Sequence, residues 1–165
     1  TIESNILYGN PDGSETEMKE AAAIAQASDF IEEKNKKYES RIAQGGANVS
    51  GGQNQRLSIA RAIAKQPDVF IFDDSFSALD YKTDVALRKA LKEHTTDSVV
   101  LIVAQRISTI LHAEQIIVLD EGKVVGRGTH EELLKTCEVY QQIAMSQLSE
   151  EELAGKLGKE EKSHE

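Results

Sequence analysis

Two short constellations in this sequence bring together residue types that can do chemistry. The first is Asn48-Val49-Ser50-Gly51-Gly52-Gln53, set where the apolar periodicity of Leu57, Ala60, Ile63 and Ala64 begins. The first amides of a helix lack intrahelical acceptors and carry a partial positive charge. Two glycines there let an anion approach the backbone closely, and a serine adds a hydroxyl donor, so Ser50, Gly51, Gly52 and Gln53 suit the gripping of an anion. The same letters also describe an ordinary capped helix after a glycine-rich turn. The second constellation is Val69 to Asp74, a continuous apolar run that closes in two carboxylates. Ligands of open α/β sheets bind at the carboxyl ends of parallel strands, where one acid can hold Mg2+ through water and its neighbour orient an attacking water. A pair of solvated acids ending a strand is the alternative reading.

The elements that must position these residues are legible in outline. From Ser14 to about Lys37 the pattern is helical, with Ser14 as N-cap, Glu17 as its capping-box partner and a second short helix starting at Ser28. The helix carrying Leu57 to Ala64 ends before Pro67. Val69 to Phe72 and Val99 to Val103 have the continuous apolar character of strands buried on both faces of a parallel sheet. Between them Tyr81 to about His94 is helical, with Asp80 as N-cap, and Ile107 to Leu111 is a short helix after the second strand. Ile116 to Leu119, the turn Asp120 to Lys123 and Val124-Val125 form a hairpin at the sheet margin, and Thr129 with Glu132 caps a last pair of helices. Alternating strands and helices indicate an α/β domain with a mainly parallel sheet, preceded by a helical subdomain.

Composition narrows the function classes. A chain of 165 residues with 39% apolar and 28% charged content is sized for one domain with a real core. The longest apolar run, Val99 to Ala104, is far short of the roughly 20 residues that cross a bilayer. A net charge of −9 with scattered basic residues argues against nucleic acid as a partner. The single cysteine, Cys137, excludes an internal disulfide and fits a reducing compartment. The four histidines, His94, His112, His130 and His164, lack ligand-type spacing and read as surface residues. Arg56, Arg61 and Arg106 read as partners in surface ion pairs. Residues 149–165 are charged and poor in apolar residues, the composition of a partly disordered tail with Glu150 to Glu152 on a solvated helix face or end.

Taken together, the motifs resemble those of ATP-binding-cassette ATPases over nearly the whole chain. Val49 to Gln53 resembles the Leu-Ser-Gly-Gly-Gln signature, and Gln55 to Ala62 is similar to its usual continuation. Val69 to Asp73 resembles the Walker B strand, Ser77-Ala78-Leu79-Asp80 the D-loop, and Val103 to Thr109 the switch segment, in the family's order. Thr1 to Ile6 and Gly128 to Leu133 resemble exporter half-transporters in particular. The resemblance implies ATP and Mg2+ as cofactors, with Asp73 toward the metal and Ser50, Gly51, Gly52, Gln53 and Asp80 toward nucleotide. It also implies a second nucleotide-binding domain as partner, transmembrane domains elsewhere in the transporter, and a place at the cytoplasmic face of the membrane. By the same resemblance, residues 1–148 are a partial ATPase domain, with 10–66 its signature subdomain and 67–148 the remainder of its RecA-like, P-loop core.

Three departures from the family pattern bear on activity. No glycine-rich loop followed by Lys and Ser or Thr occurs, and the adenine-stacking aromatic and Q-loop glutamine that precede a stretch like Thr1 to Ile6 lie outside the sequence. The chain therefore reads as the C-terminal two-thirds of a domain, cut from a longer protein and inactive alone. Asp74 stands where the family has its catalytic glutamate, and losing one methylene withdraws the carboxylate by about 1 Å, a misplacement that can cost on the order of 100-fold in rate. Gln105 replaces the switch histidine, so it can donate a hydrogen bond but cannot become an imidazolium. Altered Asp74 and Gln105 beside a nearly unchanged signature imply a heterodimeric multidrug, lipid or peptide exporter whose competent site uses this subunit's signature. The competing expectations are a soluble cassette ATPase of DNA repair or translation, and a purely regulatory subunit that clamps nucleotide without turnover.

Overall fold

The computed structural model describes residues 1–147, so the charged tail expected over 149–165 and His164 lie outside the described residues. Two compact units divide the chain, one over Thr1–Val103 and one from Ala104 onward. Each has its own apolar cluster.

The first unit opens with helix α1 (Ile2–Ile6), followed by α2 (Glu15–Ile24) and α3 (Ser28–Glu32). Ser14 caps α2 as the sequence predicts: its hydroxyl accepts from the Glu17 amide while the Glu17 carboxylate accepts from the Ser14 amide at 2.7 Å. The helical pattern from Ser14 to Lys37 is interrupted at Gln26, whose φ of +55° cannot continue a right-handed helix. Helix α4 (Gly51–Ala64) packs against α1 and α2 and buries Leu57, Ala60, Ile63 and Ala64, the stripe that its periodicity encodes, together with Ile59. Strand β1 (Val69–Asp73) follows, then α5 (Tyr81–His94) and strand β2 (Val99–Val103). β1 and β2 pair in parallel from Val69↔Val99 to Asp73↔Val103.

This sheet is covered on one face only, which corrects the expectation of strands buried on both. Phe70 and Phe72 point into the core with rings stacked 5.8 Å apart, and Phe76 packs on Phe72. On the opposite face Val69, Ile71, Val99, Leu101 and Val103 are each about half exposed or more.

The second unit contains α6 (Ile107–Ile110), the antiparallel hairpin of β3 (Ile116–Asp120) and β4 (Lys123–Gly128), then α7 (His130–Thr136) and α8 (Glu138–Gln147). Glu121 and Gly122 take φ of +45° and +75°, the two left-handed positions of a tight hairpin turn. Thr129 caps α7 in a reciprocal box with Glu132. His130 departs from its expected surface position: it is buried, and its Nδ1 lies 2.8 Å from the Tyr140 hydroxyl. Burial holds the Tyr140 hydroxyl above its usual pKa. Among the described residues, no helix is long and apolar enough to cross a membrane.

Candidate functional site

The start of α4 is built by a capping box. Ser50 leaves the helix with extended backbone (φ −71°, ψ 162°), its Oγ accepts from the Gln53 amide at 3.2 Å, and Gln53 Oε1 accepts from the Ser50 amide at 3.1 Å. The Gln53 side-chain oxygen is thereby engaged in the cap, and its Nε2 donors are not part of it. The amides of Gly51 and Gly52 remain as the helix's first unpaired donors, and the Ser50 hydroxyl keeps its own proton to donate outward.

Those groups open onto a hollow of about 380 Å3 lined by Ser50, Gly51, Gly52 and Arg56 from α4 and by Ala78, Leu79, Asp80 and Thr83 from the loop into α5. Asp80 caps α5: its carboxylate accepts from the Thr83 amide at 3.0 Å and from the Thr83 hydroxyl at 2.7 Å. These bonds hold its pKa below the usual carboxylate value. The loop lies so close to the helix start that a Cβ on Gly52 would stand 2.9 Å from the Ala78 carbonyl oxygen, whereas one on Gly51 would meet Ala78 at 3.6 Å.

Arg56 belongs to this wall and, among the described residues, makes no surface ion pair of the expected kind. It donates from Nη1 to the Gln26 carbonyl at 2.6 Å and lies 4.7 Å over the Phe30 ring. Burial lowers its pKa, an effect opposed by the charges of Asp80 and Asp29. Arg61 likewise binds the Asn5 carbonyl at 2.9 Å and the Asn5 side chain. The signal for Arg56 in the sequence is its spacing of four from Gly52, which puts both on one helix face.

Asp73 ends β1 with its side chain exposed. Asp74 sits in a turn at φ +48°, its amide donating to the Val103 carbonyl at 3.1 Å, so the backbone of the acid-bearing turn is tied to the end of β2. Neither acid lines the hollow. Gln105 belongs to the second unit, in a bend where its carbonyl accepts from Gln147 Nε2 at 2.8 Å. The same Gln147 accepts from the Ile107 amide, which fixes the start of α6.

The fit to nucleotide is a matter of donor chemistry. Paired amides, a hydroxyl and a nearby guanidinium suit a phosphate, and the carboxylates at the end of β1 suit a hydrated divalent ion. The family described as ABC transporter matches residues 1–77. An uncharacterized ABC transporter ATP-binding protein of Mycobacterium bovis is 46% identical over 150 residues, which is 89% of this chain and 25% of the relative. The chain belongs to the ABC transporter family. Another relative, the ATP-dependent lipid A-core flippase of Photobacterium profundum, is 43% identical over 87% of this chain and 25% of its own length. Among solved structures, a bacterial Atm1-family ABC exporter with ATP bound superposes with a TM-score of 0.87 at 33% identity, over 91% of this chain and 26% of that one. The α/β fold is therefore that of an ABC ATPase segment. The chain spans about a quarter of the length of the curated relatives it matches.

Proposed function

We propose that this chain is the signature-bearing part of a nucleotide-binding domain in an ABC exporter, at the cytoplasmic face of the membrane, where ATP binding and hydrolysis are coupled to transport. The observation that carries the proposal is the hollow at the start of α4, where Ser50, Gly51, Gly52 and Arg56 meet Asp80 of the loop that follows β1. Within the chain, residues 10–66 would form the signature subdomain and 67–148 the remaining core.

In this reading the Gly51 and Gly52 amides and the Ser50 hydroxyl donate to the terminal phosphate of an ATP held mainly by a second nucleotide-binding domain. Arg56 supports the positive potential of the hollow, and Asp80 tempers it. Asp73 and Asp74 serve the chain's own site, Asp73 toward Mg2+ through water and Asp74 toward the attacking water. The metal, when bound, supplies neutralising charge to the phosphates. Gln105 offers a hydrogen bond but no proton transfer. The shortened acid and the missing imidazole fall on the same reaction, whereas the signature keeps its donors. The subunit would therefore pair with a different one, lending Ser50 to Gln53 to a fast site and holding nucleotide in a slow one.

Site-by-site vanadate trapping in the full transporter tests this. Trapping should occur at the site that uses this chain's signature, and Asp74→Glu with Gln105→His should restore it at the other. Equal turnover at both sites in the unmodified transporter would reject the asymmetric reading.

A further inference from the structure

One side chain ties the two constellations of the first unit together. Gln55, half-buried one turn into α4, donates from Nε2 to the Asp74 carbonyl at 3.2 Å and to Ser77 Oγ at 3.0 Å. Its Oε1 accepts from the Ala78 amide at 2.9 Å. The Ser77 hydroxyl in turn donates to the same Asp74 carbonyl at 3.0 Å. The loop so gripped begins at Asp74, in its left-handed turn, and runs to Ala78, whose carbonyl rests on Gly52. A single amide group thus satisfies backbone at both ends of the loop while standing one turn below the donors at Ser50, Gly51 and Gly52.

Resting on the function proposed above, we infer that Gln55 is a positioning residue that makes the Asp74 to Asp80 loop and the start of α4 move as one body. It touches neither nucleotide nor metal in this reading. Its amide is suited to the role because it presents a donor and an acceptor from one planar group, and the loop offers a carbonyl and a hydroxyl on one side and an amide on the other. A carboxylate in its place would keep the acceptor for Ala78 but set a second acceptor against the Asp74 carbonyl. The linkage gives the acid of one site a mechanical connection to the phosphate donors that the same subunit lends to the other.

The test is Gln55→Glu in the full-length transporter, reconstituted with its partner subunit and assayed for ATPase kcat, KM for ATP and thermal unfolding. The expected result is a loss of about tenfold in kcat with KM held within about twofold, the pattern of an arrangement needed in the transition state and not for binding. Tm should stay within about 2 °C, because the exchange leaves the buried apolar contacts of α4 untouched. An unchanged kcat overturns the inference, and so does a kcat loss matched by equal losses in ATP affinity and Tm, which would mark a merely structural residue. Should Gln55→Glu not assemble, Ser77→Ala at an exposed position removes the hydroxyl that accepts from Gln55 and donates to the Asp74 carbonyl, while leaving Gln55's two backbone bonds in place. A drop of about threefold in kcat at constant KM supports the linkage, and an unchanged kcat rejects it. If the unmodified transporter hydrolyses no ATP, the functional reading itself fails, a result distinct from a Gln55 variant that works normally.

Discussion

Gly52 and the Ala78 carbonyl are packed so that no larger residue fits between them: a Cβ on Gly52 would lie 2.9 Å from that oxygen. The neighbouring Gly51 has room, its nearest contact for a Cβ being the Ala78 methyl at 3.6 Å. Gly52→Ala should therefore cost about 1–3 kcal/mol by overpacking against backbone, partly offset by better helix propensity. Gly51→Ala should be neutral or slightly stabilising in the fold. Denaturant unfolding of the two variants, compared under one condition, checks the difference.

Removing the cap at the head of the signature helix separates stability from function. Ser50→Ala deletes the acceptor for the Gln53 amide and should destabilise by about 1 kcal/mol. Ser50→Asp restores that acceptor and with it most of the stability, but it puts negative charge where a phosphate would sit. Thermal melts should recover while ATPase activity of the full transporter does not.

The 165-residue chain alone should bind ATP weakly or not at all, because no glycine-rich loop ending in Lys and Ser or Thr is present to cradle the phosphates. Calorimetric titration of the isolated chain with Mg-ATP measures this directly. A submicromolar affinity would show that the hollow of Ser50 and Arg56 suffices by itself.

Acid should weaken the helix starts together. Glu17, Asp80 and Glu132 each accept capping hydrogen bonds that hold their pKa values below the usual 4.5, 3.8 and 4.5. A carboxylate with a depressed folded-state pKa adds stability that is fully present above its unfolded pKa. That contribution is lost as pH falls through the folded value. Unfolding midpoints followed downward from neutral pH should thus decline below the usual carboxylate range. Glu132→Gln should flatten part of the decline, since glutamine keeps an acceptor for Thr129 but does not titrate.

The open face of the parallel sheet predicts self-association of the isolated chain. Val69, Ile71, Val99, Leu101 and Val103 form one contiguous apolar surface, with Ile71 67% exposed. Light scattering should show concentration-dependent oligomers, and Ile71→Lys with Leu101→Glu, an opposite-charge pair at directly registered positions, should suppress them while the monomer still unfolds cooperatively. A monodisperse monomer at high concentration would contradict this.

Legibility in the sequence depended on whether the determining contact was local. The start of α5 follows from Asp80, and the caps at Ser14, Ser50 and Thr129 are patterns between residues three apart. The strands were legible as strands, but a continuous apolar run encodes two faces that call for cover without saying which is covered. His130 was missed because its burial depends on Tyr140, ten residues away on another helix. Arg56 and Arg61 were misread for the same reason, since their partners Gln26, Phe30 and Asn5 are neutral and lie far off in sequence. At the candidate site the residue types were legible, but the bridge from Gln55 to the Asp74 loop spans 19 residues and has no local signature.

The packing of Cys137 makes the second unit its own reporter. Its thiol is buried against Gly126, where a Cβ would come within 2.7 Å of the sulfur, and it is the only cysteine in the sequence. With the thiol buried, a maleimide reaches that sulfur when the packing around Cys137 opens. The labelling rate of the unaltered protein is therefore a clock for local opening, one that would show whether nucleotide or a partner subunit quiets this part of the molecule.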